Sequence, residues 1–276
     1  MINEILSNQY IFFISLMIPT AIIAGFLAGF FGIGGGIITV PVLFYIFNNF
    51  GIDQNYLMHL AVGTSFSIII PTAVVSVFTH YKYKTVDISI VKSYGIFVIF
   101  GVIIGTIFAA SLKTKSLIIF FSIMLFLLSI NFFFQKEDSK IKFSFNIFYK
   151  IVLGHIVGFI SSLTGIGGAI MNVPILKFCG YPINKALGTS AAIGFFISVF
   201  GALGFLASGF YLDVKLPLSF GFINIPAFLI FIPITTIMAR IGAKLLYKVD
   251  RNLISKLFAV FLIIVASKLM FDYFKL

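Results

Sequence analysis

Two stretches of this chain repeat one another, and both carry residue types that can hold an anion without any cation. Gly25-Phe-Leu-Ala-Gly-Phe-Phe-Gly32-Ile-Gly34-Gly35-Gly36-Ile-Ile-Thr39-Val-Pro41 returns, position for position, as Gly158-Phe-Ile-Ser-Ser-Leu-Thr-Gly165-Ile-Gly167-Gly168-Ala-Ile-Met-Asn172-Val-Pro174. Consecutive glycines free the backbone to leave helical geometry. A helix that restarts behind them presents unpaired N–H groups and a partial positive charge at its N-terminus, which suits an anion. Thr39 and Asn172 sit at matching places one turn into the two restarted helices, and a second repeated motif, Gly63-Thr64-Ser65 and Gly188-Thr189-Ser190, adds hydroxyls. The candidate substrate-binding residues are therefore Gly34, Gly35, Gly36, Thr39, Thr64, Ser65, Gly167, Gly168, Asn172, Thr189 and Ser190. Beside this stands a plainer reading in which Ser and Thr bond their own helix carbonyls. The pairs Gly25/Gly29, Gly101/Gly105 and Gly154/Gly158, four residues apart, are read as close helix packing.

Other chemistry is scarce. The eight acids, Glu4, Asp53, Asp87, Glu137, Asp138, Asp213, Asp250 and Asp272, fall in loops or near segment ends, without a paired carboxylate or an H-E-x-x-H motif. No catalytic residue is assigned, and an intramembrane enzyme is disfavoured for want of an acid, base or nucleophile set. A lone Cys179 can form neither an internal disulfide nor a metal site, so no metal or cofactor is expected. His155, inside a long apolar segment, and His59, near the start of another, are candidates for a coupling proton by position alone. His80, beside Lys82 and Lys84, reads as interfacial, while Lys177 and Lys185 flank the second repeat and serve chiefly to orient it.

The elements that must position these residues are membrane helices. Of 276 residues only 10% are charged and 61% are hydrophobic, with a mean hydropathy of +1.16, against about 25% charged in soluble domains. The formal net charge of +11 does not point to nucleic acid, because the Lys residues cluster between apolar runs as in cytoplasmic membrane loops. Against the roughly 20 residues needed to span a bilayer, long segments are expected at 10–31, 56–80, 88–110, 115–134, 146–164, 183–209, 216–240 and 252–274. Two short stretches, Ile37 to Asn48 and Ala169 to Phe178, follow the glycine breaks as half-helices. If each completes a crossing, fourteen of the 19 basic residues fall on one side, which favours ten segments with both termini outside the cytoplasm. Met1 to Tyr10 lacks the basic residues of a secretory signal, so the first segment is expected to be retained. Tyr supplies the interfacial belt in a chain without Trp, and only Tyr94 lies clearly inside a run.

The expected architecture is an all-α polytopic membrane protein, residues 1–276 forming one transport domain with repeats at 10–134 and 146–274. Asp87 and Asp213 stand at similar distances from their repeats. Five segments per half is an odd number, so the second half enters from the opposite face and the repeats are inverted, bringing both breaks to the midplane.

On the G-x-G-G-G and G-x-G-G motifs, with Gly34 to Pro41 matched by Gly167 to Pro174, and on the paired Gly-Thr-Ser, the chain resembles the TauE/SafE sulfite exporter family over nearly its whole length. The resemblance implies a multi-pass permease or exporter of the bacterial inner membrane for small sulfur-containing anions such as sulfite or organosulfonates. The implied partners are that small anionic substrate and the lipid bilayer; a homo-oligomer is compatible with the sequence but leaves no mark in it. A glycine-lined break could equally form the filter of an anion channel, the alternative to a carrier working by alternating access.

Overall fold

A computed structural model describes residues 2–31, 34–134, 144–245 and 251–275. Gly32 of the first motif, the acids Glu137, Asp138 and Asp250, and the loop lysines among 135–143 and 246–250 lie outside the described residues. Ten helices are present among those described: α1 (Ile2–Phe31), α2 (Gly36–Asn49), α3 (Leu57–Lys82), α4 (Ile88–Ser111), α5 (Thr114–Phe134), α6 (Ile147–Thr164), α7 (Ala169–Phe178), α8 (Ile183–Tyr211), α9 (Ile225–Leu245) and α10 (Arg251–Lys275). Eight are long and apolar enough to cross a membrane. The other two, α2 with 14 residues and α7 with 10, reach only about 21 and 15 Å at the usual helical rise.

Two segments differ in where they begin: the first, expected from residue 10, is helical already from Ile2, and the helix expected from residue 216 begins only at Ile225. Pro217 is followed by Leu218 and Gly221 with φ of 50° and 53°, and such left-handed residues turn the chain out of a helix. The intervening residues instead form a small hairpin, β1 (Ser219–Phe220) antiparallel to β2 (Ile223–Asn224). Asn224 then caps α9, its Oδ1 accepting the Ala227 N–H at 3.1 Å.

At the glycine-paired helix contacts small residues face inward and large ones outward, as expected where lipid rather than water is the solvent. On α4, Gly101, Gly105, Val98 and Val102 are buried while Ile96, Phe100, Ile104 and Ile107 are exposed. A methyl group added at Gly101 would lie 2.9 Å from the Cα of His155, and one at Gly25 would lie 2.6 Å from the Cα of Thr235. The four-residue glycine pairs are thus packing surfaces: Gly101/Gly105 and Gly154/Gly158 join α4 to α6, and Gly25/Gly29 join α1 to α9.

The packing follows one pattern twice. Helix α4 lies against α6 and α8, while α9 lies against α1 and α3. Helix α2 packs on α3 as α7 packs on α8, and α3 with α8 and α5 with α10 meet across the middle. Exchanging the first five helices for the last five leaves these pairings unchanged.

Candidate functional site

Each short helix starts from a glycine in the left-handed region, Gly35 with φ 80° for α2 and Gly168 with φ 64° for α7, and no side chain caps either start. The two glycines occupy the same place in the repeated motif. Any other residue would be strained there, and an uncapped helix start leaves backbone donors to be satisfied by something else.

The two breaks interlock. Ser65 Oγ on α3 donates to the carbonyl oxygen of Gly165, which ends α6, at 3.1 Å. A methyl at Gly36 would collide with that same carbonyl. Around the junction lies a small cleft of about 10 Å³, lined by Ala28, Gly34, Ile69, Thr72, Ala73, Ser76, Gly167, Ala191 and Gly194. It has room for about one water molecule.

The expected site residues divide into two groups. Thr64 Oγ1 accepts the N–H of Asn224 at 2.9 Å, and Thr189 Oγ1 accepts the N–H of Asp87 at 2.9 Å. Beside them, a methyl at Gly63 would collide with the Phe222 carbonyl and one at Gly188 would lie 2.6 Å from the Thr85 carbonyl. Each Gly-Thr-Ser therefore holds the loop that leads into α4 or α9, with glycine admitting the loop and threonine binding it. Thr39 Oγ1 donates to its own helix at Gly35 O, 3.1 Å away. Gly34 and Gly167 line the cleft, whereas Asn172 Nδ2 and Ser190 Oγ are buried and have no hydrogen-bond partner.

The pairing of Asp87 with Asp213 is corrected. The counterpart of Asp87 is Asn224, since both cap a helix, Asp87 Oδ1 accepting from Ile90 N at 3.2 Å, and both give their N–H to the threonine of a Gly-Thr-Ser. Asp213 is exposed and pairs with Lys215 at 3.5 Å. The loop before α9 is lengthened by the hairpin, which shifts the register that spacing alone suggests.

Neither histidine proposed for proton coupling reaches the cleft. His155 is half-buried, its Nδ1 2.8 Å from the Ile151 carbonyl and its ring beside Phe97 and Phe100. His59 is buried at the other end of the Gly-Thr-Ser turn, Nε2 3.1 Å from the Ala109 carbonyl and the ring stacked on Phe222. His80, expected at the interface, is buried, because the turn at Thr85 folds back onto it and donates twice to its carbonyl.

Sequence reading missed four polar groups. Thr72 and Ser76 line the cleft from α3, with Ser76 Oγ buried and unpartnered. Tyr94 is fully buried and its OH donates to Asn172 Oδ1 at 2.8 Å. Ser161 is buried with its Oγ unpartnered. The signals were present: Tyr94 is the one tyrosine away from segment ends, and Ser161 stands where the first repeat has Ala28.

Thr64→Val is expected to lower stability by about 1–3 kcal/mol by leaving the buried Asn224 N–H without an acceptor. The unfolding midpoint in detergent reads this directly. Thr39→Val, which loses only a bond within one helix, is expected to cost much less.

The sequence profile of the sulfite exporter TauE/SafE family matches residues 17–269. A probable membrane transporter protein of Haemophilus influenzae is 32% identical over 255 residues, 92% of this chain and 97% of the relative. Another of Methanocaldococcus jannaschii is 28% identical over 250 residues, 89% and 91% of the two chains, and one of Bacillus subtilis is 26% identical over 280 residues, 93% and 97%. No solved structure matches significantly. With eight helices fit to cross a bilayer and a family match over most of its length, the chain is a multi-pass membrane transporter and belongs to the sulfite exporter TauE/SafE family.

Proposed function

We propose that this transporter carries small sulfur-containing anions, sulfite or organosulfonates, across the bacterial inner membrane by alternating access around the junction of the two glycine breaks. The observation that carries the reading is the meeting of two uncapped helix starts, at Gly35 and Gly168, beside one cleft lined by Gly34 and Gly167. Backbone dipoles of this kind bind anions without a fixed cation, and discontinuous helices hold anionic groups in other transporters.

A carrier rather than an open pore is supported by the size of the cleft. It has room for about one water molecule and a sulfur oxyanion is larger, so passage requires a change of shape. The repeat suggests what changes. Gly34 against Ile69 and Gly167 against Gly194 are matched contacts in the two halves. By contrast Thr72 and Ser76, on the cleft, match Ile197 and Gly201, which are closed over: a methyl at Gly201 would lie 2.8 Å from the Phe66 ring, and one at Gly168 would collide with Ile197. In inverted repeats the two halves exchange these arrangements, opening one side as the other closes.

The reading is tested by sulfite flux in proteoliposomes. Uptake is expected to saturate and to be accelerated by unlabelled sulfite trapped inside. Flux linear in concentration, without acceleration, would favour the channel.

Sidedness is tested by the single cysteine. Cys179 ends α7, beside Lys177, and is partly buried. The ten-crossing topology puts it on the cytoplasmic side, so an impermeant maleimide is expected to label inverted vesicles and spare right-side-out ones. Burial raises the Cys179 thiol above its ordinary pKa, so the reactive thiolate is scarce at neutral pH and labelling is expected to quicken at more alkaline pH than for a free thiol. Labelling of right-side-out vesicles alone would reverse the topology.

A further inference from the structure

The two breaks are alike in backbone but not in side chains. Around Gly168, a methyl would collide with Ile197 and lie 3.0 Å from Ser161 Oγ and 3.6 Å from Asn172 Nδ2, so both polar atoms border one spot at the start of α7 that the Ile197 side chain closes in this arrangement. Ser161 and Asn172 are both completely buried, and neither of these atoms has a partner. Tyr94 occupies the amide oxygen of Asn172 through its hydroxyl, at 2.8 Å. That bond leaves the amide nitrogen, with both protons, as the free end.

The first break has nothing equivalent. Asn172 is matched by Thr39, whose hydroxyl is engaged with Gly35 O. Ser161 is matched by Ala28, and Tyr94, at the same distance past its helix cap, by Phe231, which is buried and apolar. A buried amide NH2 left unpaired is costly, so it marks a place where an acceptor oxygen, of a ligand or of water, is favoured.

We infer that the anion is bound one-sidedly, at the second break: Asn172 Nδ2, Ser161 Oγ and the N–H groups of Ala169 and Ile170 at the start of α7 form an oxyanion site, while the first break serves as backbone frame. The inference rests on the anion-carrier reading and specifies its ligands. An amide NH2 can only donate, so the site selects solutes rich in acceptors, such as sulfite or a sulfonate group, and rejects cations. Ser161 and Tyr94 thereby join Asn172, whereas Thr39, Thr64 and Thr189 drop out.

The test is binding of sulfite and of methanesulfonate to the detergent-purified protein, by calorimetry and by thermal stabilisation. Asn172→Asp is the decisive variant, because a carboxylate still accepts the Tyr94 hydroxyl but removes the donor and adds a negative charge. Affinity is expected to fall at least about 30-fold with a lowered ligand-free unfolding midpoint from the buried carboxylate, and Ser161→Ala, a residue the first repeat already accommodates, is expected to weaken binding about tenfold at an unchanged midpoint. Thr39→Val is expected to leave affinity within about twofold. Wild-type binding with unchanged affinity in Asn172→Asp and Ser161→Ala would overturn the one-sided site and leave the carrier reading standing. Equal losses in Thr39→Val would replace it by a symmetric site. If the wild type binds neither anion, the carrier reading fails and this inference with it.

Discussion

A backbone that leaves helical geometry inside a bilayer must have its polar groups met by protein, because lipid offers none. This chain breaks its helices twice and meets the demand by bringing the breaks together. The carbonyl that ends α6 at Gly165 is taken by Ser65 of the other half, and Gly36 lets the backbones approach to contact. Much else follows from that junction. Helix α3 must lie where Ser65 reaches across, α8 must lie opposite it, and the loops into α4 and α9 must rest on Thr189 and Thr64. Small residues at the α4–α6 and α1–α9 contacts close the bundle around it without lowering its apolar surface.

Two roles that look alike in sequence are separated by this arrangement. Apart from Ser190, the hydroxyls of the Gly-Thr-Ser motifs are used up in holding loops and in crossing between halves, so they are structural although they lie close to the breaks. The donors left over, on Asn172, Ser161, Ser190 and Ser76, belong to positions that the two repeats do not share or do not satisfy alike. A scaffold built twice can differ between its copies only in side chains, and those differences are where a solute can be recognised without disturbing the frame.

Much of the fold was legible because it is written in local terms. Apolar runs gave the eight long helices, the glycine breaks gave α2 and α7, and four-residue glycine spacing gave the packing faces. What could not be read was the partner of each polar group, since Thr64 and Asn224, Thr189 and Asp87, and Tyr94 and Asn172 are far apart in the chain. The start of α9 was misread because the 216–224 stretch is apolar enough to pass for helix, and its left-handed residues and hairpin depend on packing over Gly209 and Gly63. The same insertion hid the equivalence of Asp87 and Asn224. Around the breaks, the glycines and Asn172 were legible as repeated motif positions, and the unshared residues Tyr94 and Ser161 were visible only as departures from the repeat.

The central claim, that the junction of the breaks binds an oxyanion, is tested most directly by locating one. Crystals grown with selenite, a heavier analogue of sulfite, would show the anion by its anomalous scattering. A peak is expected at the start of α7, within hydrogen-bonding distance of Asn172 Nδ2 and Ser161 Oγ. A peak confined to the lysine-bearing loops, or none at a concentration that saturates transport, would contradict it.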